Sequence, residues 1–255
     1  MKKMNYMITD KSRNLVGKIV KKAKNQHELY LQHRKDRELT GRTVEQMYHD
    51  IRIRYTHATV AMKISDLTLA QVTDVIDSHC TELTPKEMIA IKNAYEAYNQ
   101  LYHLHFDSRA STDPYSVPVM QHLHGVFMKN LTKDAGYLTG KTYRELETLV
   151  EWVKESKENM LIKACVFHYE LITSKLFSDG GEHIARMWQM FLLNQNKGVY
   201  VSHRISAMTI ICERRQEYFD ILAIDDKTIG CTKFIEFVLQ AILDGLTSYE
   251  NDPTL

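Results

Sequence analysis

A chain of 255 residues, 44% hydrophobic and 25% charged, holds enough apolar material for one large domain, or one domain with a helical extension. Lys and Arg total 33 against 32 for Asp and Glu, a formal net charge of +1, so no global field selects nucleic acid or a membrane surface as the main partner. No run approaches the roughly 18 apolar residues of a membrane span, and the basic N-terminus lacks the apolar stretch of a signal peptide, so a cytoplasmic protein without a membrane partner is expected.

From Lys2 to Lys24 there are eight Lys or Arg and one acid, Asp10, which reads as a solvated, partly frayed terminus. A nucleic-acid arm there would need aromatic platforms, and none follows. Only 4 prolines and 10 glycines punctuate the chain, which favours long helices over sheets. Thr84-Pro85, followed by Lys86 and Glu87, predicts an N-cap with proline at the first helical position and a helix to about His105. Asp107 to Val117 is polar, carries Pro114 and is expected as a loop. Thr142 with Glu145 fits a capping box that opens a helix toward Lys157. An apolar-rich helix should run from Asn159 to Lys175, break at Phe177-Ser178-Asp179-Gly180-Gly181, and be followed by one with Ile184, Met187, Trp188, Phe191 and Leu192 on one face. Near the end, Ile235, Val238, Leu239, Ile242 and Leu246 again repeat at helical spacing.

Cys80, Cys165, Cys212 and Cys231 form no CxxC pair, and Cys165 and Cys212 read as buried free thiols in a reducing compartment. His103/His105 and His122/His124 lie two apart, so on helices they face apart and form no chelate. The run Glu213-Arg214-Arg215-Gln216-Glu217 reads as a solvated face or a source of intrachain ion pairs. The helix, glycine-containing loop and helix around residue 180 have more chemical interest. The first N–H groups of the second helix lack backbone partners and, with the helix dipole, can hold a phosphate.

The stretch from Val166 to Leu193 resembles the core of the Fic family. That signature is His-Pro-Phe, two residues of which the second is acidic, Gly-Asn-Gly-Arg, a two-residue gap and a second Arg. Here the same places run from Lys175 through Leu176, Phe177, Ser178, Asp179, Gly180, Gly181, Glu182 and His183 to Arg186. His168-Tyr169-Glu170 before the loop and Arg186-Met187-Trp188-Gln189 after it are similar to the family's flanks. Leu123 to Met128 resembles its upstream helix, Tyr218 to Leu222 its downstream tyrosine-containing helix, and Thr56 to Val72 the segment that carries an inhibitory helix in many members.

The resemblance implies an all-α Fic-like bundle: residues 1–106 as an N-terminal helical extension with a degenerate inhibitory region, and 107–255 as the Fic-like core with C-terminal helices. It also implies AMP transfer from ATP to target hydroxyls, with a loop histidine as base, the acid on Mg²⁺, and the glycines and first arginine around the phosphates. Against that pattern the catalytic place holds Lys175, an amine protonated near neutrality whose charge Asp179 and Glu182, close in sequence, are expected to favour. Gly180, Gly181, Glu182, His183 and Arg186 are the candidate nucleotide or anion contacts, Asp179 the candidate Mg²⁺ ligand or helix cap, and Phe177 a core anchor. Glu182 brings an acid where phosphate would sit, and His183 lacks the permanent charge of a guanidinium. Ala61 is assigned the place of the inhibitory glutamate, and the interval from Asn130 to Glu151 leaves the flap hairpin short or absent. The expected protein is an inactive Fic-like module that binds a protein partner, with no cofactor, or Mg-ATP if a nucleotide site survives. The alternative is a divergent nucleotide-binding phosphotransferase, or an AMP transferase with a non-histidine loop.

Overall fold

With so few helix breakers, backbone polar groups are satisfied mostly inside helices. The computed structural model describes residues 4–38, 44–79, 82–106, 113, 115–194, 207–224 and 229–251. Among them are eleven helices and no strand: α1 (Asp10–Glu38), α2 (Val44–Val60), α3 (Leu69–Ile76), α4 (Pro85–Phe106), α5 (Val117–Phe127), α6 (Gly140–Glu155), α7 (Met160–Thr173), α8 (Gly181–Asn194), α9 (Ala207–Glu213), α10 (Arg215–Leu222) and α11 (Thr232–Asn251). The all-α expectation therefore holds. No helix among the described residues is long and apolar enough to cross a membrane.

The hairpin α7–α8 is the centre of the packing. Every residue from Leu161 to His168 is buried, so α7 is enclosed on all sides as a core helix must be. Helices α6 and α11 cover α7, α5 and α4 lie against α8, and α2 bridges α4 and α9. The apolar face named on α8, Ile184, Met187, Trp188, Phe191 and Leu192, is wholly buried. So is the repeat from Ile235 to Leu246 on α11.

Helix starts follow capping chemistry. The Thr84 hydroxyl accepts from Glu87 N at 3.3 Å, and the Glu87 carboxylate accepts from Thr84 N at 2.8 Å, the reciprocal pair that opens α4. A second box, Thr68 with Gln71, opens α3. The predicted box at Thr142 is corrected. Thr139 is the cap of α6, its hydroxyl accepting from Thr142 N at 3.1 Å, so the helix starts three residues earlier.

The N-terminal expectation is also corrected. From Met4 onward the described part of the basic segment is not frayed: it enters α1, whose Leu15, Ile19 and Ala23 are buried and which packs along α11. Met7 N donates to Thr232 Oγ1 at 2.9 Å, and Tyr6 and Gly230 form an isolated antiparallel bridge. Gly230 has φ +50°, and a Cβ there would lie 1.8 Å from the Asn5 carbonyl oxygen, so only glycine admits this approach. Cys165 and Cys231 are buried free thiols and Cys212 is half-buried; Cys80 and most of the expected 107–117 loop lie outside the described residues. Between Asn130 and α6 the chain forms turns with no strand, so the flap hairpin is absent.

Candidate functional site

The site is the bend between α7 and α8. Helix α7 ends on Ser174, and Lys175 follows at φ +48°, the left-handed conformation that closes many helices. This turns Lys175 out to solvent, with no partner among the described residues. Leu176 and Phe177 are buried and pin the loop to the core. Phe177 stacks on His124 with centroids 4.1 Å apart. His124 Nε2–H donates to the Asp179 carbonyl at 2.7 Å, and its Nδ1 accepts from Gly136 N at 2.8 Å. Those roles define a neutral imidazole, and burial pushes its pKa down. Gly180 has φ +72°, and a Cβ there would lie 2.3 Å from Met128 Sδ. The Met128 side chain therefore occupies the space over the loop glycine.

At the N-terminus of α8 the charges pair inward. Burial alone would raise the Glu182 carboxyl, but Arg186, Lys63 and its own backbone N–H together hold it below the ordinary carboxylate value. Lys63 Nζ, just past α2, lies 2.5 Å from Glu182 Oε1 and 3.4 Å from Asp179 Oδ1. Asp179 also accepts from Gly180 N at 2.8 Å. His183 is buried, stacks on Phe127 at 4.1 Å, and accepts at Nδ1 from Arg186 Nη2 at 2.9 Å. Burial, then Arg186, pushes its pKa well down, so it is neutral. Arg186 is 1% exposed and donates from Nε to Thr59 Oγ1 of α2 at 3.1 Å. Deeper still, His168 on α7 pairs through Nδ1 with Gln189 Oε1 and accepts at Nε2 from the Tyr218 hydroxyl at 3.0 Å.

Beside the loop is a cavity of about 290 Å³. The end of α2, the start of α4 and the end of α5 wall it with Val60, Ile64, Ala90, Phe127, Met128 and Leu131. Lys63, Lys86, Glu87, Asp179 and His183 are the polar residues of its lining.

The structure thus brings Asp179, Gly180, Gly181, Glu182, His183 and Arg186 to one helix end, with Lys175 facing away. Three readings change. Asp179 and Glu182 pair with Lys63, not with Lys175, because the left-handed turn sends Lys175 outward. Asp179 does not cap α8: the helix begins at Gly181, so the cap position is Gly180. The spacing of three residues after Thr56 leads to Val60, one before Ala61; both are buried and neither carries an acid. A Mg²⁺ ion held by one carboxylate takes its other ligands from phosphate and water. Asp179 is the one carboxylate of the loop available for that role, and its Oδ1 faces Lys63 Nζ at 3.4 Å. Sequence reasoning missed Lys63, Thr59, Met128 and the loop-holding role of His124; only the buried His124 on an apolar helix carried a signal.

Residues 82–193 match the family model described as "Fic/DOC family". No curated protein sequence matches. Among solved structures, a Fic family protein from Desulfovibrio desulfuricans superposes with a TM-score of 0.84 at 24% identity, covering 100% of this chain and 78% of its own. A Fic-domain-containing signaling protein from Bacteroides thetaiotaomicron gives 0.63 at 15% identity, covering 93% and 95%. Fic-1 (residues 134–508) from C. elegans gives 0.66 at 16%, covering 95% and 84%. These likenesses establish the shared fold.

Proposed function

We propose that this chain, whose residues 82–193 match the Fic/DOC family model, is a pseudoenzyme of a family whose members in general transfer AMP or other nucleotidyl groups to proteins, kept as a binding or regulatory module for a protein partner. One observation carries this reading: the anion-accepting end of α8 is already filled from within. The Glu182 carboxylate sits there, clamped by Lys63, and a triphosphate would have to displace it against like charge. Met128 fills the approach to Gly180, His183 is neutral and stacked, and Arg186 is spent on Thr59 and His183. Lys175 at the histidine's place is exposed and turned away from the α8 N-terminus by its left-handed backbone.

The test is incubation of the protein with Mg²⁺, ATP labelled at its α-phosphate and a cell lysate. No labelled polypeptide is expected. Label that disappears on Lys175→Ala would overturn the reading. The divergent phosphotransferase has one observation in its favour, Lys63 and Lys86 on the wall of a cavity next to the loop. A rise in unfolding temperature with Mg-ATP would support it, since a ligand of the folded state stabilises that state.

A further inference from the structure

We propose that the cavity between α2, α4 and α5 is a site for a small monocarboxylate with an apolar body. The inference rests on the pseudoenzyme reading in one respect, that no nucleotide occupies this space. At about 290 Å³ the cavity has room for on the order of ten non-hydrogen atoms, taking about 30 Å³ for one water in the liquid. Val60, Ile64, Ala90, Phe127, Met128 and Leu131 make most of the wall apolar, which favours a hydrocarbon body.

The charged side chains of the lining are paired with one exception. Lys63 and Asp179 pair with each other. Glu87 accepts from both the Thr84 N–H and hydroxyl, and those bonds hold its carboxyl below the ordinary value. His183 is neutral, with one face on Phe127 and Nδ1 taken by Arg186. Lys86 remains: it is the cation of the lining without a partner among the described residues. It also stands in the first turn of α4, where a positive charge opposes the helix dipole and an anion would relieve it. One free cation over an apolar chamber matches one negative charge on an apolar body. It does not match a triphosphate, which would meet the Asp179 and Glu87 carboxylates on the same wall.

Titration calorimetry on the full chain with octanoate as probe tests this. Octanoate should bind and raise the unfolding temperature. Its uncharged isostere octanamide should bind about tenfold or more weakly, the scale of a charge-assisted contact. Lys86→Gln should weaken octanoate to a similar degree and leave octanamide unchanged. Ala90→Leu, which fills the chamber, should weaken both while circular dichroism reports unchanged helix content. The site is refuted by an octanoate titration with no heat and no thermal shift, by equal affinities for octanoate and octanamide, by wild-type affinity in Lys86→Gln, or by Mg-ATP displacing octanoate. The labelling assay runs in parallel. Octanoate binding together with transferred label would sink the pseudoenzyme reading and leave the site standing. Failure of both would sink the site and leave that reading standing.

Discussion

His168 makes the fold acid-sensitive by an amount that can be worked out. The ring is fully buried in α7, with Nδ1–H directed to Gln189 and Nε2 accepting from Tyr218. Burial, reinforced by the nearby Arg186 charge and opposed by the Gln189 bond, pushes its pKa down to about 3. In the unfolded chain the same ring titrates near 6.5. Above that value both states are neutral and His168 adds no pH dependence. Below it the unfolded chain takes up a proton that the fold refuses, so stability falls by about 1.4 kcal/mol per pH unit until the folded value is reached. At about pH 5 the loss due to His168 alone is about 2 kcal/mol, a large part of a typical folding free energy. His124 and His183 are displaced in the same direction and add to the total. Urea unfolding near pH 7 and about pH 5, for wild type and His168→Gln, checks it: wild type should lose about 2 kcal/mol more than the variant. Equal losses, or an imidazole signal of His168 that titrates near 6.5, would refute the reasoning.

Gly180→Ala should cost about 1–2 kcal/mol for a left-handed alanine plus about 1–3 kcal/mol for driving into Met128. In a Met128→Ala background only the first cost should remain, so a double-mutant cycle by urea unfolding should show a coupling of about 1–3 kcal/mol; additivity within about 0.5 kcal/mol would mean Met128 is not what Gly180 accommodates. Glu182, held below its usual value, stabilises the fold above about pH 4.5, and that share is lost as pH falls through the lower folded value. Glu182→Gln should therefore flatten the acid limb of the stability profile below about pH 4.5, and an unchanged limb would show that the Lys63 clamp contributes nothing.

Helices α4, α7, α8 and α11 are readable from the chain because they rest on local rules: apolar spacing, and for α4 the Thr84 cap with proline at the first helical position. The start of α6 was misplaced because Thr139 and Thr142 each offer a hydroxyl three residues before a plausible partner, and only the backbone shows which is used. The loop substitutions were visible as residue types, but their consequences depended on long-range contacts. Lys63 meets Asp179 across 116 positions and Arg186 meets Thr59 across 127, so neither pairing has a local signature. Closeness in sequence suggested that Lys175 would share the loop carboxylates. A single left-handed residue sends it the other way.

The bond from Met7 to Thr232 joins positions 225 apart. During translation α1 is made well before α11, the helix that packs along it and covers Leu15, Ile19 and Ala23. At about 5–20 residues per second the wait is roughly 10–45 s. Throughout that interval a nascent amphipathic helix keeps a wet apolar stripe, dotted with lysines that discourage self-association. A message broken before α11 would release a polypeptide whose stripe never finds its cover, which makes such fragments natural clients for chaperones and proteases.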